Sequence, residues 1–85
     1  MSNYRDLFGK KIGKQDVVQA VIHTVRSGNP AAMNLARRMG IGYFKATRLV
    51  RVLQDAGVTT TTGSVLLRED AAVNAALRQL KKGHK

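Results

Sequence analysis

Cysteine and tryptophan are absent from this chain, proline occurs once, and only five of its 85 residues are acidic. Without cysteine there is no disulfide framework, no thiolate chemistry and no cysteine-based zinc site, which accords with a reducing cytoplasm. The five Asp and Glu and the two His are scattered along the chain. Acid–base, nucleophilic and metal-assisted catalysis all need such groups in a cluster. No enzymatic activity, cofactor, metal site or small-molecule substrate is therefore expected, and His23 and His84 read as exposed bystanders. Aromatic residues amount to two Tyr and two Phe, few for a protein that reads single-stranded RNA by stacking. No apolar run approaches the roughly 20 residues of a membrane span. The opening MSNYRDLFGKKIG lacks the continuous apolar core of a secretory signal. A cytoplasmic, nucleoid-associated protein without membrane attachment is the expectation.

What is abundant is positive charge. Fifteen Lys and Arg give a net charge of +10, and a charge of that size bears on partners rather than on fold. Polyanions come first among them. A chain of 85 residues suits one domain with a small core. Residues 1–14 read as a basic arm with Tyr4, Leu7 and Phe8 as its large apolar residues. From about Gln15 to Ser27, Val17, Val18, Val21, Ile22 and Val25 recur at helical spacing, with Gln19, His23 and Arg26 opposite. Ser27-Gly28-Asn29-Pro30 then ends that helix and begins another, with Asn29 as expected N-cap and Pro30 in the first helical position.

The second helix turns Ala32, Leu35, Ala36 and Met39 inward and Asn34, Arg37 and Arg38 outward. Gly40 stands where a helix end needs a left-handed residue, Ile41 plugs the gap between helices, and Gly42 opens the next. In that third helix, about Tyr43 to Ala56, the residues Ala46, Leu49, Val50, Leu53 and Ala56 share one side. At about 100° per residue, Phe44, Thr47, Arg48, Arg51 and Asp55 share the other. No acid occurs between Asp16 and Asp55. The helix is thus apolar along one side and cationic along the opposite one.

The following VTTTTGSVLL is β-branched and contains a Thr62-Gly63-Ser64 turn signal, so two short strands in a hairpin are expected, with Val58, Val65 and Leu67 inside. Glu69 and Asp70 then open a last helix at its positive end, and Lys81 and Lys82 close it. Its stripe is Ala72, Val73, Ala76, Leu77 and Leu80. Helix, helix, tight turn, cationic helix and hairpin, in that order, describe a winged helix-turn-helix over residues 15–68. The fold class is mainly α with a small β wing, followed by a C-terminal helix, 69–85, as a possible dimerisation element. In such a fold the third helix enters the major groove and the wing touches flanking phosphates.

The stretch RRMGIGYFKATRL resembles the R-R-x-x-I-G-Y-x-x-A-x-R-L segment in the gamma domain of FtsK-type DNA translocases, a winged helix that reads short chromosomal sequences. Arg37, Arg38, Ile41, Gly42, Tyr43, Ala46, Arg48 and Leu49 carry the match, and the pattern extends from about Gln15 to Val58. The chain departs from the family at both ends: it has neither an ATPase motor nor a phosphate-binding loop, and the final helix has no counterpart. Phe44-Lys45 replace the Asn-Arg pair of the family at positions of base contact. The resemblance therefore implies a mode of DNA binding without implying the target sequence.

On this reading double-stranded DNA is the partner. Phe44, Lys45, Thr47, Arg48 and Arg51 are the candidates for base readout. Phe44 either folds back on the domain or presses against a thymine methyl, the one apolar group on a major-groove edge. Arg37, Arg38, Tyr43, Thr61, Thr62 and Ser64 are the candidates for phosphate contact. The wing has no Lys or Arg, so its contacts rest on hydroxyls and backbone N–H groups. Val73, Ala76, Leu77 and Leu80 are candidates for a homodimer interface, unless that stripe only covers the chain's own first helix. The expected function is a small transcriptional repressor acting by operator occupancy. The alternatives are a DNA-binding accessory or adaptor protein whose main output is a protein contact, and a non-specific architectural binder of DNA or RNA.

Overall fold

The computed structural model describes residues 12–83. Tyr4, Leu7, Phe8 and His84 lie outside the described residues. Four helices follow in order: α1 Lys14–Ser27, α2 Ala32–Met39, α3 Tyr43–Asp55 and α4 Glu69–Gly83.

Helix α1 begins where Gly13 donates its backbone N–H to Asp16 Oδ2 at 3.0 Å, and that carboxylate also sits favourably in the first turn of the helix dipole. Its buried face is Val17, Ala20, Val21 and Thr24, spaced three and four apart as a single helical face requires. Helix α2 begins two residues later than expected. Asn29 does not cap it: Asn29 Oδ1 accepts the Ala31 N–H at 3.0 Å, closing a local turn of the kind Asn side chains favour, and Ala31 occupies the N-cap position. Pro30 accordingly precedes the helix rather than opening it. The Asn34 amide secures this turn by donating to Ser27 Oγ and to the Asn29 carbonyl, each at 3.1 Å.

Gly40 ends α2 in the left-handed conformation, φ 65°, which any side chain with a Cβ would adopt only with strain. The next residue, Ile41, donates its N–H to the Ala36 carbonyl at 3.1 Å, and the chain turns directly into α3. There Ala46, Leu49, Val52 and Leu53 are buried. Val52 joins the expected inward residues, while Val50 and Ala56 pack at the margin of the core.

The expected hairpin wing does not form, and no strand occurs among the described residues. The segment between α3 and α4 is a turn closed by a single antiparallel bridge, Thr59 to Val65. The reason lies in the threonines themselves. Leu66 N–H bonds the Val58 carbonyl at 2.8 Å and Thr60 N–H bonds the Ser64 carbonyl at 2.9 Å. The return bond of a ladder is then diverted, because Ser64 N–H goes to Thr60 Oγ1 at 3.0 Å. Local side-chain acceptors compete with strand pairing in this way, and β-branched propensity does not overcome it. Val58 is buried as expected, Val65 and Leu67 are half-buried, and Leu66 is exposed.

Helix α4 belongs to the same core as the other three. Ala72, Ala76 and Leu80 are buried, and α4 makes its most extensive contact with α1. Ile12 is also buried in that core, so the expected arm of residues 1–14 gives way to the domain before its end. The core is one cluster to which all four helices contribute.

Candidate nucleic-acid interface

Two consequences of this packing define the candidate site. Burying Ala46, Leu49, Val52 and Leu53 fixes the rotation of α3, and the opposite side of the helix is thereby turned to solvent. Phe44 and Arg51 are exposed there, with Thr47 and Arg48 partly exposed. The tight Gly40 turn places α2 directly before this helix, and its Arg37 and Arg38 are both exposed.

The cations of this region fall into two groups. Lys45, expected at the bases, instead holds Asp16 of α1, Nζ to Oδ1 at 3.2 Å, with both side chains largely covered. It stands on the flank of α3 facing α1, and its charge is met within the chain. Arg51 pairs with Asp55 one turn further on, Nε to Oδ1 at 3.2 Å, a surface pair of the kind that contributes little and exchanges readily. Arg38 donates from Nε to Asn34 Oδ1 at 3.0 Å, so the side chain that secures the α1–α2 turn also steadies this guanidinium without neutralising it. Arg37 and Arg48 have no hydrogen-bond or ion-pair partner among the described residues. They are the cations of α2 and α3 best placed to meet an external anion.

The aromatic pair is the other feature of the site. Tyr43 is 52% and Phe44 54% exposed, and the rings meet edge to face with centroids 6.4 Å apart, the geometry aromatic quadrupoles prefer. Phe44 is therefore no part of the buried core, and about half of it is covered. Tyr43 likewise is not a core residue. Thr47 donates its hydroxyl to the Phe44 carbonyl at 2.7 Å, so its donor is engaged by the helix itself.

The remaining candidates divide. Thr61, Thr62 and Ser64 are exposed at the tip of the 58–66 turn. That tip lies against other parts of the chain: Thr60, Thr61 and Gly63 line a cleft of about 230 Å³ with Asn29, Pro30, Ala32, Val50 and Gln54. The Thr62 and Thr60 hydroxyls are 2.9 Å apart and share a hydrogen bond. Among the dimer candidates, Ala76 and Leu80 are buried in the chain's own core, and Val73 and Leu77 pack partly against it. The stripe packs on α1, and Leu77 and Leu80 also line a cleft of about 430 Å³ with Lys14 and Lys81.

No family model matches the chain, and neither a curated protein nor a solved structure matches it. No helix among the described residues is long and apolar enough to cross a membrane.

Proposed function

We propose that the protein binds double-stranded DNA sequence-specifically, with the outward face of α3 in the major groove, and that it acts as a small repressor by occupying its site. The observation that carries this reading is the face itself: Phe44, Thr47 and Arg48 are held outward by the buried side of α3, with the unpaired Arg37 on the preceding helix. A helix of this diameter fits the major groove, and residues near the N-terminus of a recognition helix meet base edges. Arg37 and Arg38 then contact phosphate and fix the orientation, since such contacts position rather than specify. The charge of +10 supports the reading by drawing the protein to a polyanion. In this reading Lys45 stays paired with Asp16.

Selection of bound sequences from a random duplex pool, followed by salt titration on the enriched site, tests the proposal. An enriched sequence should emerge, palindromic if two copies bind together. With Arg37 and Arg38 on phosphates and Arg48 in the groove, log affinity should fall against log salt with a slope of about −1.8 per subunit, from about −0.9 for each of the two phosphates. Absence of enrichment with a steep slope would indicate non-specific binding. A slope near zero would exclude DNA as the partner.

A further inference from the structure

The Phe44 side chain is a large apolar surface left in water on the helix face where every other exposed side chain is polar. Leaving about half of this residue in water is unfavourable by the apolar area it shows, and Tyr43 meets its ring edge to face. Three residues on, Thr47 has its hydroxyl proton directed to the Phe44 carbonyl. What Thr47 offers a neighbour is its methyl group and a hydroxyl lone pair. Phe44 and Thr47 are adjacent on the helix surface by their spacing, so the first turn of the outward face is an apolar patch. Arg48, four residues after Phe44, stands beside it without a partner among the described residues.

Resting on the reading of α3 as the DNA-contacting helix, we propose that Phe44 and Thr47 read the C5 methyl of thymine, and that the site contains thymine at the base pair they face. The chemistry leaves one choice. Major-groove edges of guanine, adenine and cytosine present hydrogen-bond donors and acceptors, and thymine alone adds an apolar group. A phenyl ring pressed on any of the other three edges would desolvate polar atoms without bonding them. Charge complementarity selects a nucleic acid over an apolar protein surface: the patch is bordered by Arg48, within a region that has no acid between Asp16 and Asp55. The same pair accepts 5-methylcytosine, because the methyl occupies the same place.

Once an enriched duplex is known, each thymine is replaced in turn by deoxyuridine, which removes the methyl and keeps every hydrogen-bonding group. Binding should weaken about fourfold at one or two adjacent positions, the effect of withdrawing one buried methyl, and remain unchanged elsewhere. Phe44→Ala should lose most of the discrimination between the thymine and uracil duplexes, since the ring supplies the larger apolar contact. Thr47→Ser, which keeps the hydroxyl bond and removes only the methyl, should reduce the discrimination in part. Both positions are exposed or partly exposed, and circular dichroism of each variant verifies the fold. The proposal is overturned if wild type binds every uracil duplex as well as the thymine duplex, if Phe44→Ala keeps the discrimination, or if the enriched site lacks thymine. Failure of DNA binding itself would be seen separately, as the absence of any enriched duplex.

Discussion

Helices α1 and α4 and helices α2 and α3 use similar sequence material to different ends. Each pair buries an apolar stripe, Val17, Ala20 and Val21 with Ala72, Ala76 and Leu80 in the first, Leu35 with Ala46, Leu49 and Leu53 in the second. Three of the four described acids belong to the first pair: Asp16, Glu69 and Asp70. Two of these reach across to cations on other elements, Asp16 to Lys45 and Glu69 to Arg26 at 3.0 Å. The second pair has only Asp55, at the far end of α3, and leaves Arg37, Arg48 and two aromatic rings facing water. Lys14, Arg78 and Lys81 on the first pair are likewise exposed without an ion-pair partner among the described residues, so unanswered charge alone does not separate the pairs. The difference is that the second pair sets its unanswered cations beside exposed aromatic rings, with its single acid at the far end of α3.

Truncating the shared core should do the most damage. Leu53 is fully buried on α3, and Leu53→Ala should cost about 2–5 kcal/mol in urea unfolding. Phe44→Ala on the same helix should change stability by only about 0.5 kcal/mol. Equal losses would mean that Phe44 is a packing residue and that the two sides of α3 are not different in kind. Next comes the turn that sets α2 against α3. Gly40 has φ 65° with open space where a Cβ would lie, so Gly40→Ala meets backbone strain alone and should cost about 1–2 kcal/mol. A neutral effect would show that the turn relaxes.

A smaller effect sharpens the role of Lys45. Asp16→Asn keeps an acceptor for the Gly13 N–H and removes the charge that holds Lys45. If the freed ammonium reaches a phosphate, the salt slope of DNA binding becomes steeper by about 0.9. An unchanged slope would place Lys45 away from the DNA path altogether.

Much of the helical frame is legible in the sequence, because apolar spacing and the glycine at residue 40 are local signals with one reading. The outward stripe of α3 follows from the same spacing. Three things are not legible locally. The threonine run has strand propensity, but whether Thr60 Oγ1 captures the Ser64 N–H is decided by the closed turn. The α4 stripe is the same string of residues whether it covers α1 or a second copy, and only the packed core shows Ala76 and Leu80 already buried. Lys45 looks as available as Arg48 until Asp16, 29 positions earlier in the chain, is seen beside it.

In the proposed function the outward face of α3 reads base sequence. Anisotropy titration of Arg48→Ala against the enriched duplex and a scrambled one tests it most directly. A loss of about 1–3 kcal/mol is expected on the enriched duplex and a much smaller one on the scrambled duplex. Equal losses on both would make Arg48 a phosphate contact and contradict base reading by this helix.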